Sequence, residues 1–437
     1  MIAGFQRLRR YSINWGKSDM KMHAVLNIFR LSRKNILLFF AVMGPGLAVM
    51  LADTDAGSII ISAQSGAQFG YKLLAMQFLL IPILYIVQEL TLRLGIVTKL
   101  GHGELIYKIF GKAWAWLSIS TLIICCIGAI ISEFIGLAGA GALFGIPHWA
   151  TMAVVVLFLA VMAWTGSYKS VERVAIFLGL FELIFLYVAW KAHPNLHEML
   201  QGMKQMPWHN NNYIFLVSSN IGAVIMPWMI FFQQSAVVDK KLSLEHLNTA
   251  RMDTFIGAIV TQSIMCAVLV ITATTIGKDH PGMALNTVEQ ISEGLTPYLG
   301  TTAGNLLFAL GISGAALIAA IVVSLTAAWG LGEILGYKRS LDHKPKEAPW
   351  FYTIYSLVLI IGGLYVASGI NLVNLSVGIG VMNALLLPIV LGFLFMLSVK
   401  ALPENYRLKG WYAWCVGIII AVTSGFGVVS GIIGCFQ

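Results

Sequence analysis

The chain has 437 residues, of which 58% are hydrophobic and 11% charged, and its formal net charge is +9. Water-soluble domains carry roughly 25% charged residues, so a globule folded from this chain would lack the charges to cover its surface. A soluble enzyme, a disulfide scaffold and a disordered chain are excluded. The apolar residues come in blocks long enough to cross about 30 Å of hydrocarbon as helices, so an all-α polytopic membrane protein is expected.

Residues 1–35 form a polar tail holding Arg7, Arg9, Arg10, Lys17, Lys21, Arg30, Arg33 and Lys34. It is not expected to be a cleaved signal, because no short apolar core with a small-residue cleavage site comes first. A basic tail of this kind reads as a lipid-facing anchor and calls for no nucleic acid. From 36 to 437 the chain reads as one transmembrane unit. Eleven spans are predicted, near 36–62, 72–97, 112–143, 148–166, 171–192, 213–237, 251–276, 300–332, 349–369, 371–399 and 410–434. Lys and Arg accumulate in loops on the inner side of a membrane. With the N-terminus inside, 24 of the 28 basic residues lie inside. Only Lys72, Lys191, Lys204 and Lys278 lie outside. Eleven spans then leave the C-terminus outside, and the net charge is a consequence of topology. The expected location is the inner (plasma) membrane.

Ionisable groups at bilayer depth are costly and mark pathways or sites. Span 1 holds Asp53 and Asp55, span 2 Glu89, span 3 Glu133 and span 5 Glu182. Arg93 is the one base of similar depth. It stands four residues after Glu89 in the favourable order, so that pair reads as structural, and Glu182 reads as an interhelical hydrogen-bonder. Asp53, Asp55 and Glu133 remain without a base, and buried carboxylates in that position take up a proton or meet a cation. All nine histidines fall in the tail, in loops or at span edges, which removes a histidine proton relay. The five cysteines have no metal-ligand spacing and read as small buried hydrophobes.

Span 1 contains Asp53-Thr54-Asp55-Ala56-Gly57-Ser58, a polar stretch poor in helix formers. Span 6 contains Ile225-Met226-Pro227-Trp228, where the proline removes a donor and clashes with the preceding turn. Helix breaks at corresponding places in two repeats point to a transporter's midplane site. Spans 1–5 (about 36–192) and 6–10 (about 213–399) then form a five-plus-five inverted repeat, with span 11 (about 410–434) added. Gly57 and Pro227 are the helix-breaking residues, and an unwound carbonyl such as that of Ala223 can face a cation.

The stretch GPGLAVMLADTDAGSIIISAQSGAQFGYKLL resembles the first helix of the Nramp family of divalent metal transporters. SEFIGLAGAGALFGIP, GSYKSVERVAIF, IGAVIMP and ARMDTFIGAI follow in family order, covering about 40–275. The resemblance implies a LeuT-like fold and uptake of ions such as manganese and iron. It implies metal ligands at Asp55, the Ala223 carbonyl and the Met226 thioether, the soft sulfur favouring transition metals. By the same reading Asp53 is a second ligand or proton acceptor, Ser58 adds a hydroxyl, and Glu133 is a proton site or supporting acid. Several positions depart from the family. Ala56 replaces its proline, Ser58 its asparagine, Ile130 an aspartate and Trp228 a histidine. Gln233 or Gln234 stands near a second histidine, and Leu375 is nearest to a glutamine of span 10. These changes remove much of the family's proton-handling apparatus. They resemble divergent relatives, some of which carry magnesium without proton coupling.

The expected function is a secondary transporter of divalent metal cations, monomeric and in contact with lipid. The metal is its cargo and no cofactor is expected. The alternative is a carrier of an organic cation or zwitterion, with Trp228 lending a cation–π face and Asp53 and Asp55 the charge. A channel or sensor fits less well, since neither a repeated pore motif nor a soluble output domain is visible. No nucleotide-binding loop, nucleophile–base pair or His/Cys cluster suggests an enzyme.

Overall fold

The computed structural model describes residues 45–435 apart from positions 167, 295, 342, 370 and 371. The basic tail, and residues 36–44 of the first predicted span, lie outside the described residues. Every regular element among the described residues is helical.

Span 1 is two helices, α1 (Pro45–Asp53) and α2 (Ala56–Phe69). A 3₁₀ turn leads into α3 (Leu74–Thr98), the second span, and α4 (His102–Phe110) crosses to α5 (Lys112–Ala142), the third. The fourth span is α6 (His148–Thr165). The fifth is α7 (Tyr168–Gly179) and α8 (Ile184–Lys191), joined by a 3₁₀ segment at Leu180–Leu183. Next come α9 (Leu196–Lys204) and the two halves of span 6, α10 (Asn211–Val224) and α11 (Pro227–Asp239). Span 7 is α12 (Leu247–Thr274). Three short helices follow, α13 (Ile276–Asp279), α14 (Val288–Glu293) and α15 (Thr296–Leu299). Spans 8 to 11 are α16 (Thr301–Leu335), α17 (Pro349–Ala367), α18 (Leu372–Lys400) and α19 (Gly410–Cys435). Among the described residues nine stretches are each long and apolar enough to cross a bilayer. The interrupted fifth span is not among them, and of span 1 only the α2 half is, merged with span 2. The short helices in the loops were not anticipated. For α9 the cause is local: Asn195 caps it, accepting from the amide of His197 at 3.0 Å.

Burial sorts the bundle into an inner and an outer set. The apolar window of span 6 is 89% buried, those of α5 and α16 are 78% and 72% buried, while α6 has 22% and α19 39%. The broken helices therefore sit in the protein's own core, where non-helical backbone is tolerated at membrane depth. Close approach seats them there. A Cβ at Gly222 of α10 would run into the carbonyl oxygen of Gly380 on α18. One at Gly136 of α5 would meet the methyl of Ala56.

The charged groups of span 2 are tied into an ion network, as the acid-first spacing predicts. Arg93 binds Glu89, and Arg251 of α12 reaches the same carboxylate at 2.7 Å. Arg93 also donates to the main-chain oxygen of Tyr406 at 3.2 Å. This cluster joins spans 2 and 7 to the connection before span 11. Cys125, Cys126, Cys266 and Cys415 are all free thiols.

Candidate functional site

Both breaks arise from local chemistry. At the first, α1 stops at Asp53, and Asp55 becomes the N-cap of α2 in an extended conformation (φ −74°, ψ 170°). Its Oδ1 accepts from the Ser58 amide at 2.6 Å, which satisfies one of the donors every helix start leaves open. A second such donor, the Ala56 amide, goes to Glu133 Oε2 of α5 at 3.0 Å. Two carboxylates thus lie at the positive end of α2, where anions are favoured. The other oxygen of Glu133, Oε1, is buried without a hydrogen-bond partner, and two buried carboxylates at one helix end favour a shared proton or a nearby cation.

At the second break α10 ends at Val224, and Met226 is extended (φ −88°, ψ 138°) as the residue before a proline must be. Pro227 then opens α11 at a position where its missing N–H costs nothing. The sequence reads this stretch as a helix break; the structure interrupts the helix over Ile225 and Met226.

The two breaks touch. Ser58 Oγ donates to the carbonyl oxygen of Ala223 at 3.2 Å. Around this contact lies a cavity of about 10 Å³, room for one water molecule or ion. Asp55, Gly57, Ser58, Ala223 and Met226 line it, all of them expected from the sequence. So do Ser132 of α5 and Ser376, Gly380 and Asn383 of α18, which the sequence reading missed. The Ser132 and Ser376 hydroxyls are 3.1 Å apart. Asn383 is buried with its Oδ1 free of any donor. Ser376 and Asn383 are seven residues apart, two helical turns on one face of a mostly apolar span, and that spacing was the available signal. Leu375, the residue nearest the family's glutamine by alignment, does not line the cavity.

The remaining expected residues surround this wall without lining it. Asp53 is buried and neither of its oxygens has a hydrogen-bond partner. Trp228 is fully buried, and its indole Nε1 donates to Met226 Sδ at 3.1 Å. Gln233 donates to Thr254 Oγ1 of α12 at 3.1 Å. Gln234 donates to the Leu100 carbonyl at 2.9 Å and accepts at 2.9 Å from His102, read as the Nδ1–H tautomer. The two glutamines therefore hold α11 to its neighbours, and a cavity of about 230 Å³ adjoins this helix, lined by Ser235, Val238, Asp239, Trp329, Glu333 and Arg339. Burial pushes His102 down to about 4, so it is a neutral ring at ordinary pH.

The small cavity brings together groups able to ligate a cation. It offers a carboxylate, hydroxyls, a carboxamide oxygen, an unwound carbonyl and a thioether. The salt bridges at Glu89 and Glu104 engage other acids. No three His, Cys, Asp or Glu side chains converge on one point among the described residues, so an ion there would rely on neutral oxygens and sulfur for most of its shell.

An all-helical bundle with two interrupted helices meeting at a buried acid defines a membrane transporter of LeuT-like fold. The comparisons with known proteins agree. The model of the Natural resistance-associated macrophage protein-like (Nramp) family matches residues 46–432, and the chain belongs to that family. It is 29% identical over 262 residues to the divalent metal cation transporter MntH of Staphylococcus haemolyticus, covering 56% of this chain and 58% of that one. It is 27% identical over 298 residues to MntH of Erwinia tasmaniensis, covering 66% and 71%. A crystal structure of the manganese transporter of Eremococcus coleocola, bound to an aromatic bis-isothiourea compound, superposes with a TM-score of 0.72 at 21% identity. That match covers 97% of this chain and 90% of the other. A nucleobase-cation-symport-1 family transporter in a closed conformation superposes at 0.56 with 13% identity. These structural likenesses establish the fold.

Proposed function

We propose that the protein carries divalent metal cations across the membrane by alternating access, with the cargo held between the two broken helices. One observation carries this reading: the Ser58–Ala223 hydrogen bond joins the breaks directly beside the buried carboxylate of Asp55. A dication entering there would draw the Ser58 hydroxyl and the Ala223 carbonyl away from each other and onto itself. Asp55 supplies charge, Met226 a soft ligand, and Asn383 an oxygen that at present has no donor. The MntH names of the relatives point the same way, as does the manganese transporter among the structural neighbours. Manganese or iron fits the thioether, and magnesium fits a site otherwise made of oxygen. A cavity of about 10 Å³ supports a bare ion over an organic ammonium, and Trp228 turns its N–H toward Met226 without lining the space.

With Trp228 and Ile130 where the family has titratable groups, transport runs without obligatory proton movement. The charge bias of the loops favours a plasma-membrane carrier with its N-terminus inside and C-terminus outside, acting as a monomer among lipids. Purified protein in liposomes tests this reading. Manganese uptake is expected, it is lost in Asp55→Ala, and an internal pH dye stays flat while it proceeds. Absence of metal uptake by wild type would refute the proposal.

A further inference from the structure

The break in span 1 turns its two aspartates to different surroundings. Asp55 faces the small cavity, while Asp53, two residues earlier, does not line it. Both Asp53 oxygens are buried without a hydrogen-bond partner, and the same is true of both oxygens of Glu182. These two side chains are 1% and 0% exposed. Four partnerless carboxylate oxygens in a dry core are costly unless a cation or protons neutralise them.

The acids belong to one neighbourhood. Glu182 lies near Thr54, the residue between the two aspartates in sequence, whose hydroxyl donates back to the Met50 carbonyl at 3.4 Å. It lies in the 3₁₀ segment that interrupts span 5, an irregularity often found where a helix serves a site. Close packing brings the elements together: a Cβ at Gly179, just before that segment, would press on Leu51 of α1. One at Gly314 of α16 would meet the carbonyl of Leu178. Asp53 also closes α1, a nine-residue helix. The last carbonyls of a helix have no following amides and carry partial negative charge; that of Met50 already accepts from the Thr54 and Thr261 hydroxyls, which leaves those of Leu51 to Asp53 for an ion. In broken-helix transporters such C-terminal ends hold coupling ions.

We infer a second cation site on the far side of the span 1 break, formed by Asp53, Glu182, the Thr54 hydroxyl and the terminal carbonyls of α1. It takes a hard divalent ion, because its ligands are all oxygen and its two carboxylates match a charge of +2. The inference rests on the metal-transport reading only for its choice of probe. Its role is to neutralise the inner half of span 1 while the cargo site fills and empties.

Equilibrium binding of manganese to the purified full-length chain tests this. Wild type is expected to bind about two ions, Glu182→Gln about one, and Asp55→Ala about one. Asp53→Asn should repeat the Glu182→Gln result and serves if that variant does not fold. Asp55→Ala should keep an ion that Asp55→Ala combined with Asp53→Asn loses. One ion in wild type, abolished by Asp55→Ala and indifferent to Glu182→Gln, would overturn the second site and leave the transport reading standing. No ion in wild type would overturn both.

Discussion

The indole Nε1 of Trp228 donates a hydrogen bond to the sulfur of Met226 at 3.1 Å, in a fully buried contact on the first turn of α11. One lone pair of the thioether is therefore engaged before any ion arrives. A metal that wants sulfur has to compete with that bond, and one that wants oxygen does not.

Trp228→Phe should release the sulfur. A hydrogen bond of this kind contributes about 1 kcal/mol, so cadmium binding should tighten about fivefold relative to manganese. Competition of the two ions in isothermal titration reads the ratio, and an unchanged ratio would show that the indole does not govern the thioether.

Ser58 and Asn383 present oxygens to the same space from α2 and α18. Removing either oxygen, in Ser58→Ala or Asn383→Leu, should weaken manganese binding roughly tenfold, about 1.4 kcal/mol. The thermal melting temperature without metal should fall modestly for Ser58→Ala, since the buried Ala223 carbonyl loses its donor, at about 1 kcal/mol. Full affinity in both variants would place the ion elsewhere.

Gly222 allows α10 and α18 to touch. Gly222→Ala places a methyl against the Gly380 carbonyl oxygen, and backbone cannot yield as a side chain does. Overpacking of this type costs about 1–3 kcal/mol. A lower melting temperature in detergent and weaker metal binding are expected together, because the Ala223 carbonyl rides on the same helix.

His102 gives a pH signature unrelated to transport. Burial holds its pKa near 4 in the folded protein, against roughly 6.5 in an unfolded chain. Between those values the unfolded chain binds the extra proton, so stability is lost as pH falls from about 6.5 to about 4, by about 3 kcal/mol at most. His102→Gln should flatten that part of the melting-temperature profile; an unaltered profile would mean the ring is not what titrates.

Much of this architecture could be read from the chain because membrane depth makes its demands visible. Twenty-residue apolar blocks and a one-sided distribution of Lys and Arg predict the spans, and the Asp/Gly/Ser run and the Pro227 region mark the two interruptions. Proline alone is not diagnostic: Pro82 and Pro388 lie inside α3 and α18 without ending them. Met226-Pro227 differs in that its break meets a second one in the partner repeat. What stayed hidden depends on which way side chains turn. Asp53 and Asp55 look like a matched pair in sequence, yet the cap at Asp55 points it into the cavity and leaves Asp53 outside the wall. Glu182 looks like a routine interhelical contact, yet in the fold neither of its carboxylate oxygens has a hydrogen-bond partner. Gln233 and Gln234 stand near a histidine of the family pattern, but the rotation of α11 spends them on Thr254, Leu100 and His102. Ser376 and Asn383 were visible only as polar residues seven apart.

Anomalous scattering from crystals soaked in manganese is the most direct test of the cargo site. The account predicts a peak bounded by the Asp55 carboxylate, the Ala223 carbonyl, Met226 Sδ and Asn383 Oδ1, absent in Asp55→Ala crystals treated alike. Manganese found only away from these four atoms, or a peak there that survives Asp55→Ala, would contradict it.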